Sequence, residues 1–113
     1  NYRVIRYADI LLMAAEAHNQ SGNDLDAVDY LNQVRQRVGM PARTSTGNDL
    51  YEHILKERRS ELSCEGHRFF DLVRTGKAAD LITDFQIGKH ELFPIPQVEI
   101  DLAGGNWPQN PGY

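Results

Sequence analysis

Residues 57–76, ERRSELSCEGHRFFDLVRTG, put ionisable groups where a helix needs an apolar face. If the segment from Leu50 to Glu65 is one helix at about 100° per residue, Glu52, His53, Lys56, Arg59, Ser60 and Ser63 share one side. That side is the wet one. Leu50, Tyr51, Ile54, Leu55 and Leu62 line the other, together with Arg58, Glu61, Glu65 and, toward its edge, Glu57. Charges are rarely taken out of water unless paired and hydrogen-bonded, so these inward groups need partners. Gly66 offers a left-handed helix end, after which the chain reverses and returns Arg68, Asp71 and Arg74, interleaved with Phe69, Phe70, Leu72 and Val73. The stretch reads as an ion network at a helix-turn-helix corner. The competing reading is a solvated helix with ordinary surface pairs.

The composition agrees with internal pairing. Arginine outnumbers lysine nine to three, and the planar guanidinium suits bidentate pairing with carboxylates. A net charge of -4 without a basic run argues against nucleic acid, because phosphate neutralisation needs clustered cations. Cys64 is the only cysteine, which excludes an intramolecular disulfide and a cysteine-based metal site and predicts a small packed side chain. No run approaches the roughly 20 apolar residues of a membrane helix, and the first residues lack the apolar core of a signal peptide.

Tyr7, Ile10, Leu11, Met13, Ala14 and Ala17 recur at helical spacing and predict an amphipathic helix from about residue 5 to 20. Ser21-Gly22-Asn23 stops it. Asn23 or Asp24 is placed to cap a second helix with Leu25, Val28, Leu31, Val34 and Val38 as its apolar face, ended by Gly39 and Pro41. The pair can be laid on the 34-residue tetratricopeptide pattern, with Ala15 and Ala27 at the small crossing positions and Leu31 at the large one. One such unit needs neighbours to bury its faces, which places the rest upstream. Residues 39–48 form a connection, Asp49 is the expected cap of the central helix, and residues 77–85 predict a further short helix. After Gly88 four prolines interrupt the chain. They predict an extended tail wrapped over the helices, with one helical turn at residues 96–100 and anchors at Leu92, Phe93, Ile95, Val98, Ile100 and Leu102. A short edge strand over residues 92–95 has no obvious pairing partner.

No constellation for catalysis emerges. His53 and Glu57 stand four apart as two metal ligands would, with His67 beyond, but they lack a convincing third ligand and His53 falls on the wet face. Glu57, Glu61 and Glu65 lie on one helix flank, whereas glycosidase carboxylates face each other across a cleft. His18, His90 and the serines make no nucleophile arrangement. Trp107, Tyr113 and Tyr51 are the available aromatics for stacking on a sugar ring, though tail aromatics more often pin the tail down and Tyr51 lies on the inward stripe. No cofactor is implied.

The pattern ER..EL..EG.R..DLVR.G resembles the C-terminal region of the SusD-like (RagB) family of the Bacteroidota. RYADILLMAAEA at 6–17, LNQVRQRVGMP at 31–41, and LFPIP with the closing QNPGY agree in the same order. The resemblance implies an all-α fold of tetratricopeptide-like helical hairpins with an irregular, proline-rich tail. It also implies a non-catalytic outer-membrane lipoprotein that captures oligosaccharides or other nutrients for a TonB-dependent, SusC-like transporter. The matching positions Glu57, Arg58, Glu61, Glu65, Arg68, Asp71 and Arg74 carry over as structural. Trp107 and Tyr113 remain weak ligand candidates, no metal is implied, and the lipidated cysteine is expected upstream. One domain is expected, a C-terminal fragment with a helix pair at 1–41, a charged corner at 48–86 and a tail at 87–113. The rivals are a free-standing helical-repeat module that binds a peptide or protein, and a glycan-active enzyme.

Overall fold

A computed structural model describes residues 5–113; residues 1–4, at the start of the expected helix pair, lie outside it. Six helices and no strand occur among the described residues: α1 (Tyr7–Gln20), α2 (Asp24–Arg37), α3 (Gly47–Glu61), α4 (His67–Arg74), α5 (Ala78–Leu81) and α6 (Gln97–Leu102). The chain forms two compact units, one ending at Arg68 and the other running from Phe69 to Tyr113.

In the first unit α1 and α2 form a hairpin, and α3 packs on α1 and more lightly on α2. Ala15, Ala27 and Leu31 are fully buried where the two helices cross, as the small-small-large spacing requires for close approach. Leu12, Val34, Leu50 and Ile54 complete the centre. The expected stripes are rotated from the real ones. Tyr7, Ile10, Met13 and Ala17 are exposed; of the expected stripe Leu11 is buried, together with Ala8, Asp9, Leu12, Ala15 and Asn19. Leu25 on α2 and Val38 just after it are likewise exposed. The reason is that α1 is apolar almost all round, so spacing alone admits two faces, and the alanines decide which one touches α2.

Helix ends are fixed partly by local chemistry and partly by distant groups. Asn23 caps α2, its side chain accepting from the Asp26 N–H. Gly39, with φ of +70°, closes α2 as its N–H donates to Gln36 O and the Met40 N–H to Arg35 O. Helix α3 starts before the expected Asp49 cap, with Thr46 at its N-cap position and no local side-chain cap bond. Its Gly47 N–H donates to the Asp24 carboxylate at 2.6 Å, while Asn19 Nδ2 bridges Asp24 Oδ1 at 2.7 Å and Gly47 O at 2.9 Å. One polar cluster therefore ties the end of α1 to the starts of α2 and α3. Asp24→Ala is expected to cost about 0.5–2 kcal/mol in chemical denaturation, the range for a lost N-cap.

The central helix stops at Glu61, not Glu65. Cys64 and Gly66 follow in left-handed conformation, at φ of +63° and +84°. Cys64 is exposed on this turn, which corrects the expectation of a packed thiol inside the helix. Gly66 has open space around its α-carbon, so Gly66→Ala is disfavoured by backbone conformation alone.

In the second unit Phe69 packs against Phe70 and Phe93, with ring centroids 5.7 and 6.0 Å apart. Of the expected anchors, Leu92, Val98 and Leu102 are exposed and anchor nothing, Phe93 is exposed but rests against Phe69, and Ile95 and Ile100 are half-buried. Polar groups hold the tail within its unit instead. The Gln109 side-chain amide pairs with both Ile95 backbone groups at 2.7 and 2.8 Å, which gives residues 92–95 a side-chain substitute for a strand partner. Asn110 Nδ2 donates to Phe93 O and the Tyr113 hydroxyl to Leu92 O. The Glu91 carboxylate accepts the Gly88 N–H at 2.8 and 3.0 Å, and this bond, foremost among several, holds its pKa below the ordinary carboxylate range. A depressed acid stabilises above its unfolded pKa and loses that contribution as pH falls through the folded one. NMR titration is expected to place the Glu91 midpoint below that of an unfolded peptide, with the 86–91 turn loosening only on the acid side of it.

Candidate functional site

The acids of α3 are answered from the first two helices. Arg58, 5% exposed, donates to Asp9 at 2.8 Å from a position level with the core. Arg6 donates through Nε to Glu65 at 2.9 Å and through Nη1 to Glu61 at 3.0 Å. Its Nη2 reaches the Glu61 carbonyl at 2.7 Å and so caps α3, which accounts for the early end of that helix. Arg35, buried on α2, bonds Glu57 and the Pro41 carbonyl. Arg37 forks onto both oxygens of Glu61 at 2.6 and 2.7 Å from a more exposed position. Arg6, Arg35, Arg37 and Arg58 thus face Asp9, Glu57, Glu61 and Glu65, and the formal charges balance.

This cluster closes the three-helix unit at the end away from the Asn19–Asp24–Gly47 cluster. The hydrogen bond from Glu65, ahead of the opposing cost of burial and of the bond from Glu61, raises the Arg6 pKa above its ordinary value. A raised base contributes fully below its unfolded pKa, so this contribution is undiminished at neutral pH.

The expected return segment is distributed differently. Asp71, buried in the second unit, accepts from Arg74 Nε at 2.9 Å. Arg68 is exposed and has no ion pair among the described residues, which removes it from the expected network. It sits at the start of a helix whose buried positions are Asp71 and Leu72. Sequence reasoning missed Arg6, Asp9, Arg35 and Arg37. Arg35 left a signal, standing four after Leu31 and three before Val38 on the apolar stripe it was passed over for. Asp9 left one too, as the one acid in the run YADILLMAA. Arg6 left none, because its partners lie 55 and 59 residues away.

Of the other candidates, His53, Glu57 and Tyr113 are engaged elsewhere. His53 Nδ1 lies 2.9 Å from Ser45 Oγ, while Glu57 is taken by Arg35. No group of three or more metal-ligating side chains gathers among the described residues. Tyr113 is tied by its hydroxyl and lies under Lys89 Nζ, 4.9 Å from the ring centroid. Trp107 is 55% exposed. No helix among the described residues is long and apolar enough to cross a membrane.

The model of the SusD family matches residues 1–91. This chain belongs to the SusD family. SusD-like proteins are non-catalytic binding proteins. A SusD-like protein of Formosa agariphila is 40% identical in an alignment of 92 positions that covers 73% of this chain and 18% of that relative. Among solved structures, a SusD homolog from Bacteroides thetaiotaomicron superposes with a TM-score of 0.89 at 33% identity, covering 98% of this chain and 25% of that one. Surface glycan-binding protein A from Bacteroides thetaiotaomicron gives a TM-score of 0.84 at 37% identity over all of this chain and 25% of its own. The SusD-like chain therefore spans about a quarter or less of the relatives that it matches.

Proposed function

We propose that this SusD-like chain serves as scaffold in a non-catalytic nutrient-binding lipoprotein on the outer face of the outer membrane. In this reading the whole protein hands oligosaccharides or other nutrients to a TonB-dependent, SusC-like transporter. The segments 1–41, 48–86 and 87–113 are its C-terminal region. The observation that carries the scaffold role is the balance of the ion cluster. Four guanidinium groups and four carboxylates engage each other across three helices, which leaves none of them presented to a ligand or poised as a catalytic pair. Kinship with a surface glycan-binding protein supports the nutrient. The exposed row Ile5, Tyr7, Ile10 and Met13 is the kind of face that a neighbouring helix pair covers in a repeat array.

Calorimetry on this chain and on a full-length parent tests the division of labour. The parent is expected to bind a neutral oligosaccharide, and the chain to bind it at least about a hundredfold more weakly. Equal affinities would place the sugar site in these residues and overturn the scaffold reading. Retention of the parent on an immobilised SusC-like barrel encoded beside it tests the partner, and its passage unretained would contradict the pairing.

A further inference from the structure

A concave feature lies within the first unit, walled by the end of α2, the 38–46 connection and one flank of α3. Its cavity of about 310 Å³ is lined by Val38, Met40, Arg43, His53, Lys56 and Ser60, among others. That volume is at the lower end of the range for small-molecule sites. Two acids border it, and both are already answered: Glu57 by Arg35, and Glu61 by Arg6 and Arg37. Asp49, which is not among the residues lining the cavity, stands 3.6 Å from His53 Nδ1, the ring nitrogen that also meets Ser45 Oγ. Arg43 and Lys56 remain as cations without an acidic partner among the described residues.

Arg43 is held in place by its backbone and not by its charge. Its N–H donates to Asn32 Oδ1 at 2.7 Å and its carbonyl accepts from Asn32 Nδ2 at 2.9 Å. This clamp fixes the root of the side chain while its Nε is buried with no protein acceptor. A buried, unanswered donor on a charged group is costly, and native structures keep few of them. An oxyanion satisfies a guanidinium better than a neutral acceptor does, through short charge-assisted bonds. The apolar side chains of Val38 and Met40 complement a ligand that has a carbon body beside its charged group.

We propose that this pocket binds the carboxylate or sulfate group of a small acidic ligand, with Arg43 Nε and Lys56 Nζ as the donors. The concavity of the pocket favours a small molecule over a flat protein face. This role is separate from that of the ion cluster and stands whether or not the scaffold reading holds.

The probes are sodium glucuronate, inorganic sulfate and, as the neutral control, methyl glucoside, each titrated into the chain while the Arg43 Nε–Hε resonance is followed by NMR. Glucuronate or sulfate is expected to move that resonance saturably, and methyl glucoside to leave it in place. Arg43→Gln, read from backbone amides of the connection, and Lys56→Gln are each expected to weaken binding about tenfold or more. Both variants should keep the thermal midpoint of the parent, since the Asn32 clamp uses only the Arg43 backbone and Lys56 is exposed. An equal response to methyl glucoside, or unchanged affinity in both variants, would overturn the proposal. So would the lack of any saturable response by about 50 mM, well past the millimolar affinities of weak specific sites. A response to polyglutamate alone would assign the pocket to a protein partner and likewise contradict it.

Discussion

Arg58→Ala is expected to destabilise the chain by about 3–5 kcal/mol, because it leaves the Asp9 carboxylate buried without the guanidinium that answers it. Asp9 and Arg58 side chains are 10% and 5% exposed, so water cannot take over from either partner without rearrangement of α1 and α3. Arg58→Met keeps the aliphatic bulk and still strands Asp9, so it is expected to lose nearly as much. The double change Arg58→Met with Asp9→Leu should recover much of the loss, since removing both charges of a buried pair is often close to neutral. Arg68→Ala provides the contrast. Its exposed side chain has no ion pair among the described residues, so the change should stay within about 0.5 kcal/mol. Urea denaturation of the four variants gives all these values from one kind of curve, provided that the slope with denaturant is unchanged.

The second large effect is expected at the helix crossing. Leu31 is fully buried between Ala15, Ala27 and the α3 residues of the same core. Leu31→Ala removes its transfer free energy and leaves a cavity that the two alanines are too small to fill, for a loss of about 2–5 kcal/mol. Leu31→Met, which conserves volume, should lose less than about 1.5 kcal/mol. Comparable losses from both variants would mean that the α1–α2 interface is loosely packed and that the alanine spacing has been misread.

The fold class was legible because its signals are local. Apolar spacing, Ser21-Gly22-Asn23 and Gly39 with Pro41 mark α1 and α2 within about two residues, and the proline content of the tail limits helix to the single short α6. The spacing of Ala15, Ala27 and Leu31 even located the crossing. What spacing did not resolve was which side of α1 faces inward, because Tyr7, Ile10 and Met13 are as apolar as the residues that are buried. The end of α3 was illegible for a related reason. Nothing between Glu61 and Glu65 breaks a helix by itself, and the stop depends on Arg6, which reaches the Glu61 carbonyl although it stands 55 residues earlier in the chain.

The candidate site was legible by half. That Arg58, Glu57, Glu61 and Glu65 turn inward follows from their place among Leu50, Ile54, Leu55 and Leu62. Their partners were sought in the nearest arginines along the chain, whereas α1 and α2 supply Arg6, Asp9, Arg35 and Arg37. Partner choice across 22 to 59 residues is a property of how helices stack, and helical periodicity carries no record of it. The same limit hid Asn19 and Asp24, whose polar side chains look like ordinary turn residues until the start of α3 is laid over them.

The account rests on charges that hold the helices to each other as framework. A double-mutant cycle on Asp9→Ala and Arg58→Ala, read by urea denaturation, measures that directly. A coupling of about 2 kcal/mol or more is predicted for a pair this buried. A coupling below about 0.5 kcal/mol, the range for exposed pairs, would show that the two side chains do not hold each other and would contradict it.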